Sequence, residues 1–308
     1  MLIRRLKAFA AHLMGRRGWS DGHFYSPSVG IEDVDRLKSQ APADDLAGGG
    51  VAYDESRQIA LVEGLLSRYG NEIFHETRNS DARYYFGNPS YAWADGAIAQ
   101  AMIRSLKPAR IIEIGAGLST CLICDVNRKY FDGGIEFHSV DPYVLDDDGL
   151  AEVIANGEVV FHQRPVQEVA LDFFDMLEEG DVLFVDSSHV AKAASDVNWL
   201  FFRVLPRLKQ GVVIHVHDIF FPFEYPIDWI VEGRSWNEAY LLRAFLQFNT
   251  DFQLLLMNDA VGRARNSLTE SVRLPFEKNS GGALWMWRAR KSEPIQAAQP
   301  ASLGDLVF

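Results

Sequence analysis

An α/β fold, built on a largely parallel sheet covered by helices on both faces, is what this 308-residue sequence predicts. Three observations point to it. From residue 110 onward, short apolar runs alternate with stretches of helical period. A glycine turn, Gly115-Ala116-Gly117, follows directly on the first run. Acids and histidines then recur where later runs end, which is where open α/β sheets place ligands.

Residues 1–50 read as an irregular N-terminal extension, because DGHFYSPSVG and APADDLAGGGV are rich in turn formers. The opening MLIRRLKAFAAHLMGRRGW carries five basic residues and no acid, with Leu2, Leu6, Phe9 and Leu13 at helical spacing. That pattern suits either a self-packed terminal helix or a weak peripheral membrane contact by residues 1–19. A helix with Ile59, Val62, Leu65, Leu66 and Tyr69 on one face follows and stops at Gly70. The next runs from about Tyr91 to Leu106, packed by Ala94, Ile98, Ala101 and Met102, and ends before Pro108. These two helices, within 51–106, form an N-terminal helical cap.

The strand-like segments are 110–114, 135–140, 158–162, 181–186 and 211–216. Between the fourth and fifth, residues 189–205 keep a helical period through Val190, Ala194, Val197, Phe201 and Val204. An aromatic loop with Phe220, Phe221, Phe223, Tyr225 and Trp229 leads to a helix from Trp236 to Phe248. Such rings suit either an acceptor pocket or core packing, and Asn237 suits either a helix cap or a ligand contact. Segments 252–257 and 283–288 are two further strands, joined by a polar loop over 258–282. The main domain thus covers 51–290, and 291–308 is a C-terminal tail.

A formal charge of −12 disfavours non-specific binding to a phosphate backbone, so nucleic acid is not an expected partner. No run of about 18 apolar residues is present to span a membrane. The two cysteines, Cys121 and Cys124, fall inside the helix after the glycine turn, where packing explains them better than metal or redox chemistry. Nothing here requires an oxidising compartment, and a cytoplasmic protein is expected. The acidic run Asp146–Asp148 reads as a solvated loop.

The glycine turn has two candidate ligand classes. A dinucleotide prefers a third glycine where Thr120 stands, and Glu113 suits a cation rather than a pyrophosphate. Asp141, closing the second strand, suits paired hydrogen bonds to ribose hydroxyls. A ligand with an ammonium group and a ribose but no phosphate fits both acids: S-adenosylmethionine. The glycines let the backbone approach its amino-acid end.

The motifs EIGAGLST, SVDPY, DVLFVDSSH and GVVIHVHD resemble those of class I S-adenosylmethionine-dependent methyltransferases, over roughly residues 90 to 290. HVHDIFFPFEYP followed by GRSWNEAYLLRAFL is similar to a bacterial subgroup acting on small molecules. The resemblance implies a Rossmann-like, doubly wound sheet of seven strands, mostly parallel, with the last antiparallel. It implies that Glu113, Gly115, Ala116, Gly117 and Ser119 line the methionine side of the cofactor. Asp141 would bind the ribose, Pro142 and Tyr143 would lie near the adenine, and Asp186 and Ser187 would face the sulfonium and the acceptor.

His189, His217 and Asp218 cluster at adjacent strand ends and are the candidate catalytic residues, a histidine near neutral pKa being a suitable base. His189 is expected at the start of a crossover helix, and His215 is expected to alternate to the other face and pack there. Related enzymes of the catechol type hold a divalent metal with acids at the ends of strands four and five, which here are Asp186 and Asp218. Ile219 and Phe220 stand where a further ligand would follow, so a metal is left open. The expected activity is methyl transfer to a small-molecule acceptor, a hydroxyl of a saccharide or secondary metabolite. The alternatives are a non-catalytic S-adenosylmethionine-binding protein of a biosynthetic complex and a nicotinamide-dependent oxidoreductase.

Overall fold

The computed structural model describes residues 19, 21–39, 49–70, 74–143 and 147–289. The readings for residues 1–18 and for the tail 291–308 lie outside these. Among the described residues no helix is long and apolar enough to cross a membrane. The described residues fall into two compact units, a large one within 44–224 and 237–308 and a small one within 1–43 and 225–236.

The large unit is organised by a seven-stranded sheet of order β3-β2-β1-β4-β5-β7-β6. Its strands are β1 (Arg110–Ile114), β2 (Glu136–Val140), β3 (Val160–His162), β4 (Val182–Val185), β5 (Val213–Val216), β6 (Phe252–Met257) and β7 (Leu284–Arg288). The first five pair in parallel, and β7 is antiparallel to both β5 and β6. This is the doubly wound sheet with an antiparallel last strand that the motifs implied. From β1 the chain winds outward to β2 and β3, then returns to β4 on β1's other side. Beside β1 the strand order therefore reverses, and loops on opposite faces part to leave a crevice.

The strands are buried because helices cover both faces, so β1, β4 and β5 are buried at nearly every position rather than at alternate ones. Glu55–Tyr69 begins on Asp54, whose carboxylate accepts from the Arg57 amide, and ends at Gly70. Ala94–Leu106 is buried on nearly every side, and Lys107 ends it in a left-handed turn before Pro108. Leu118–Phe131 buries Cys121 and Cys124 in the same core. Burial pushes the Cys121 thiol up to about 12, and nearby acids add to the rise, so both cysteines are packing groups as expected.

Four expectations from the sequence are corrected. Within residues 1–50, Ile31–Ser39 is a helix. The 258–282 segment is not a loop: it holds the helices Asn258–Arg263 and Glu270–Lys278, the latter burying Val272 and Phe276 one turn apart. Between β4 and β5 the regular helix starts only at Asp196, because Ser195 caps it by accepting from the Asn198 amide. The acidic run is not merely solvated either. Asp147 accepts from the Gly149 and Leu150 amides at the start of Asp148–Ala155 and pairs with Arg78 at 2.7 Å; Asp146 lies outside the described residues.

In the small unit, Ile227–Val231 is a short helix, and Trp229 meets Trp236 edge-on at 5.3 Å. The Arg234 guanidinium lies 4.2 Å over the Trp229 ring, and Ser235 donates to Ser28.

Under the large unit's β2 side lies a buried charge network. Arg83, 7% exposed, binds Asp125 at 2.8 Å through Nε and grips Glu158 with both terminal nitrogens. The Arg83 and Tyr84 amides and the Arg128 guanidinium also bind Asp125. Arg83→Met would leave the buried Asp125 carboxylate with two backbone amides and Arg128 at 3.3 Å, so an unfolding free energy lower by about 1–3 kcal/mol is expected from urea titration.

Candidate active site

The glycine turn is built from beneath by Glu113. Near the end of β1, opposite Ser139 on β2, its side chain is wholly buried and accepts from Ser119 (2.7 Å), Thr120 (2.7 Å) and Ser139 (2.8 Å). Burial raises its pKa to about 8 against the pull of these three hydroxyls. Thr120 in turn accepts from the Gly117 amide at 2.9 Å. Gly115 turns the chain at a φ of +93°, and a Cβ there would lie 1.8 Å from the carbonyl oxygen of Asp186. That close approach of the β1 and β4 ends is what requires glycine. Gly117, at a φ of −179°, is extended backbone that does not require it.

At the reversal point a cavity of about 340 Å³ opens, lined by Gly115, Asp141, Pro142, Tyr143, Asp186 and Ser187 among others. Asp141 braces it by accepting from the Ala116 amide at 2.9 Å and the Tyr143 amide at 2.7 Å. Burial raises the Asp141 pKa, and these two amides oppose the rise. The Ser187 hydroxyl is buried without a hydrogen-bond partner. Glu113 and Ser119, expected to face a ligand, are spent on each other below the turn and are not part of the cavity wall. The backbone amides of Ala116 and Gly117 are already bonded, to Asp141 and Thr120.

Beside this cavity, at the ends of β4 and β5, titratable side chains crowd together. His217 Nδ1 lies 3.3 Å from Asp186 and 3.8 Å from Asp218, while its Nε2 lies 3.3 Å from Asp95. His189 Nε2 lies 3.4 Å from Asp186 and 3.6 Å from Asp218, and its Nδ1 is 2.9 Å from Glu238. Burial alone would raise the Asp186 pKa, but the His217 and His189 rings hold it well below the usual carboxylate range. Burial would lower both histidines, yet their carboxylates win: Asp186 and Glu238 raise His189 to about 10, and Asp218 and Asp186 raise His217 well above its ordinary value. A neutral base poised near pH 7 was the expectation; the carboxylates make both rings imidazolium instead. Burial leaves Asp218 raised even against the two histidines.

The three candidate catalytic residues do meet here. His189, however, is not at a helix start: it sits in a loop at a φ of +58°, held because the Asn237 and Glu238 amides donate to its carbonyl at 3.0 and 3.2 Å. Asn237 does not cap its helix with its side chain, which clamps both backbone groups of Ala191. His215 is on the same face as His217, with ring centroids 6.1 Å apart, because residues two apart in a strand point the same way. It packs on Phe184 at 3.9 Å, and burial holds its pKa well below the ordinary value.

Sequence reasoning missed Asp95, Glu238 and Asn258. Asp95 is buried and accepts from the Asn258 amide group (2.9 Å) and the Gly282 and Ala283 amides (3.2 and 3.0 Å) as well as facing His217. An acid in the first turn of a helix reads as a dipole partner, which hid both Asp95 and Glu238. Of the aromatic loop, Phe223 is buried and Phe221 packs on Tyr53, while Tyr225 and Trp229 belong to the small unit.

Residues 112–219 match the model of a methyltransferase domain family. An uncharacterized protein of Archaeoglobus fulgidus is 33% identical over 165 residues, covering 51% of this chain and 73% of its own. The chain belongs to the methyltransferase-domain family. Solved structures similar to it include the SAH-bound Podospora anserina methyltransferase PaMTH1 (14% identity, 84% of this chain and 97% of that one, TM-score 0.40). Another is CalS11, a TDP-rhamnose 3'-O-methyltransferase of calicheamicin biosynthesis (12% identity, 66% and 90%, TM-score 0.37).

The matched span contains the glycine turn, Asp141, Asp186, His189, His217 and Asp218. In this methyltransferase domain the Glu113 pKa shift has a thermodynamic signature. Its folded value of about 8 exceeds the ordinary 4.5, so between those values the folded state holds a proton that the unfolded state has lost. Its contribution to stability is therefore full below pH 4.5 and falls as pH rises towards 8. Relative to wild type, Glu113→Gln should become progressively more stable as pH is raised across that window, as read by denaturant titration at each pH.

Proposed function

We propose that this protein transfers the methyl group of S-adenosylmethionine to a hydroxyl of a small-molecule acceptor, a saccharide or secondary metabolite. The carrying observation is that Asp186 does two things at once: it lines the cavity beside the glycine turn and it anchors the histidine–carboxylate cluster. Cofactor and acceptor would then meet at a single residue. Methyl transfer is an in-line displacement at carbon, so alignment of the attacking oxygen with the methyl is the protein's main task.

Each residue's part follows from its place. Gly115 exposes bare backbone to the amino-acid end of the cofactor. Asp141 keeps lone pairs beyond those used by its two amides and takes the ribose hydroxyls. Pro142 and Tyr143 flank the adenine, and Asp186 and Ser187 face the sulfonium. His217 orients the acceptor hydroxyl and Asp218, whose carboxyl burial biases towards its protonated form, receives the proton, with His189 beside them.

The same cluster fits a divalent cation. Asp186, His217 and Asp218 each bring one ligand atom within 4.8 Å of the others, and His217 Nδ1 is buried without an aligned hydrogen bond. Asp95, Asp186, Asp218 and Glu238 also outnumber the two imidazoles they surround, an imbalance that a cation offsets. A bound ion would lower the pKa of the acceptor hydroxyl. One imidazole beside two carboxylates suits manganese, iron or zinc as well as magnesium.

Isothermal titration should give micromolar affinity for S-adenosylhomocysteine, roughly −8 kcal/mol. Asp141→Ala should weaken it by about 1.5–3 kcal/mol; wild-type affinity in that variant would reject the site. Binding without turnover across hydroxyl acceptors would favour the non-catalytic alternative. Exhaustive chelation followed by add-back of Mg²⁺, Mn²⁺ or Zn²⁺ should abolish and then restore activity if the cation is needed. Full activity after chelation would leave the histidine–carboxylate pair acting alone.

A further inference from the structure

Glu238 presents a different problem from the other acids of the cluster. It is fully buried at the start of the helix Glu238–Leu246, its Oε2 meets His189 Nδ1 at 2.9 Å, and its Oε1 receives no hydrogen bond. Asp95, by contrast, is held by a side-chain amide and two backbone amides and has an evident part in the fold. A buried carboxylate with a single partner costs stability, and an apolar side chain of its size would pack there at less cost. Folding therefore does not account for it.

The local backbone shows what it is coupled to. His189 adopts a left-handed conformation, and its carbonyl accepts from the Asn237 and Glu238 amides, while the Asn237 side chain clamps Ala191 on both sides. The helix start thus fixes the His189 backbone, and the Glu238 carboxylate holds Nδ1 of its ring. With Nδ1 bonded there, Nε2 is presented 3.4 Å from Asp186 and 3.6 Å from Asp218. His189 is not one of the three residues that could hold a cation.

We propose that Glu238 is a positioning residue: by holding His189 Nδ1 it sets the ring so that Nε2 faces the carboxylates where the acceptor hydroxyl reacts. This rests on the methyl-transfer reading above. The logic is that of a carboxylate behind a working histidine, which fixes the orientation and favours the protonated form of the ring.

The test compares Glu238→Met, of similar length but without an acceptor, with Glu238→Gln, which keeps one. Glu238→Met is expected to lower kcat about 10–100-fold. KM for S-adenosylmethionine should stay unchanged and Tm should be equal to or above wild type. Glu238→Gln should recover most of the lost kcat. A downfield His189 Nδ1–H resonance, assigned by its loss in His189→Gln, should be present in wild type and Glu238→Gln and absent in Glu238→Met. Wild-type kcat in Glu238→Met would overturn the proposal. So would a kcat loss that comes with a fallen Tm, weakened S-adenosylhomocysteine binding and an unchanged ring resonance. If the resonance behaves as expected but wild type turns over no hydroxyl acceptor, the methyl-transfer reading fails and the positioning of His189 stands.

Discussion

A single carboxylate, sealed inside the central strand, holds together the part of the molecule that matters most. Glu113 gathers hydroxyls from β2 and from the first turn of the following helix, and one of those hydroxyls holds the Gly117 amide. The glycine turn is therefore tied down from below rather than from the ligand side. Because the turn is fixed, Gly115 can run close enough to β4 to touch the Asp186 backbone, and the crevice keeps its width. A carboxylate two residues ahead of a glycine turn is thus explained by the turn itself.

From that anchor the site divides into two halves joined at Asp186. On one side lies a cavity with braced walls, lined by Asp141, Asp186 and Asp196 and by no cationic side chain. On the other, carboxylates and imidazoles are packed so tightly that each changes the protonation of its neighbours. Arranging such groups without water between them works against folding, and the structure supports them with rigid elements on three sides. Asp95 comes from a helix buried in the core, Glu238 from a helix start, and the Gly282–Ala283 amides from the approach to β7. Residues outside the motif-bearing strands thus decide the geometry of those inside them.

The scheme of the fold was legible from the chain because its signals are local. Apolar runs, helical periods and the turn formers between them lie within a few residues of one another, and all seven strands were placed within a few residues of their observed bounds. The errors were local as well. A polar surface concealed the stripe that buries Val272 and Phe276, and a serine cap inside an apparently helical run delayed its start to Asp196. His215 lies on the same face as His217, as the strand period of two requires, and not on the opposite face expected of it.

By itself the sequence determined the doubly wound sheet, the glycine turn at its reversal point, and the presence of Asp141, Asp186, His189, His217 and Asp218 at strand ends. What it left undecided were the partners of those residues. Asp95 reaches His217 across 122 positions and Glu238 reaches His189 across 49, and neither separation carries a periodic or compositional trace. Whether an acid at a helix start caps a dipole or grips a histidine depends on which element packs against it. Only the folded chain brings those elements together, and with them the charge state of both rings.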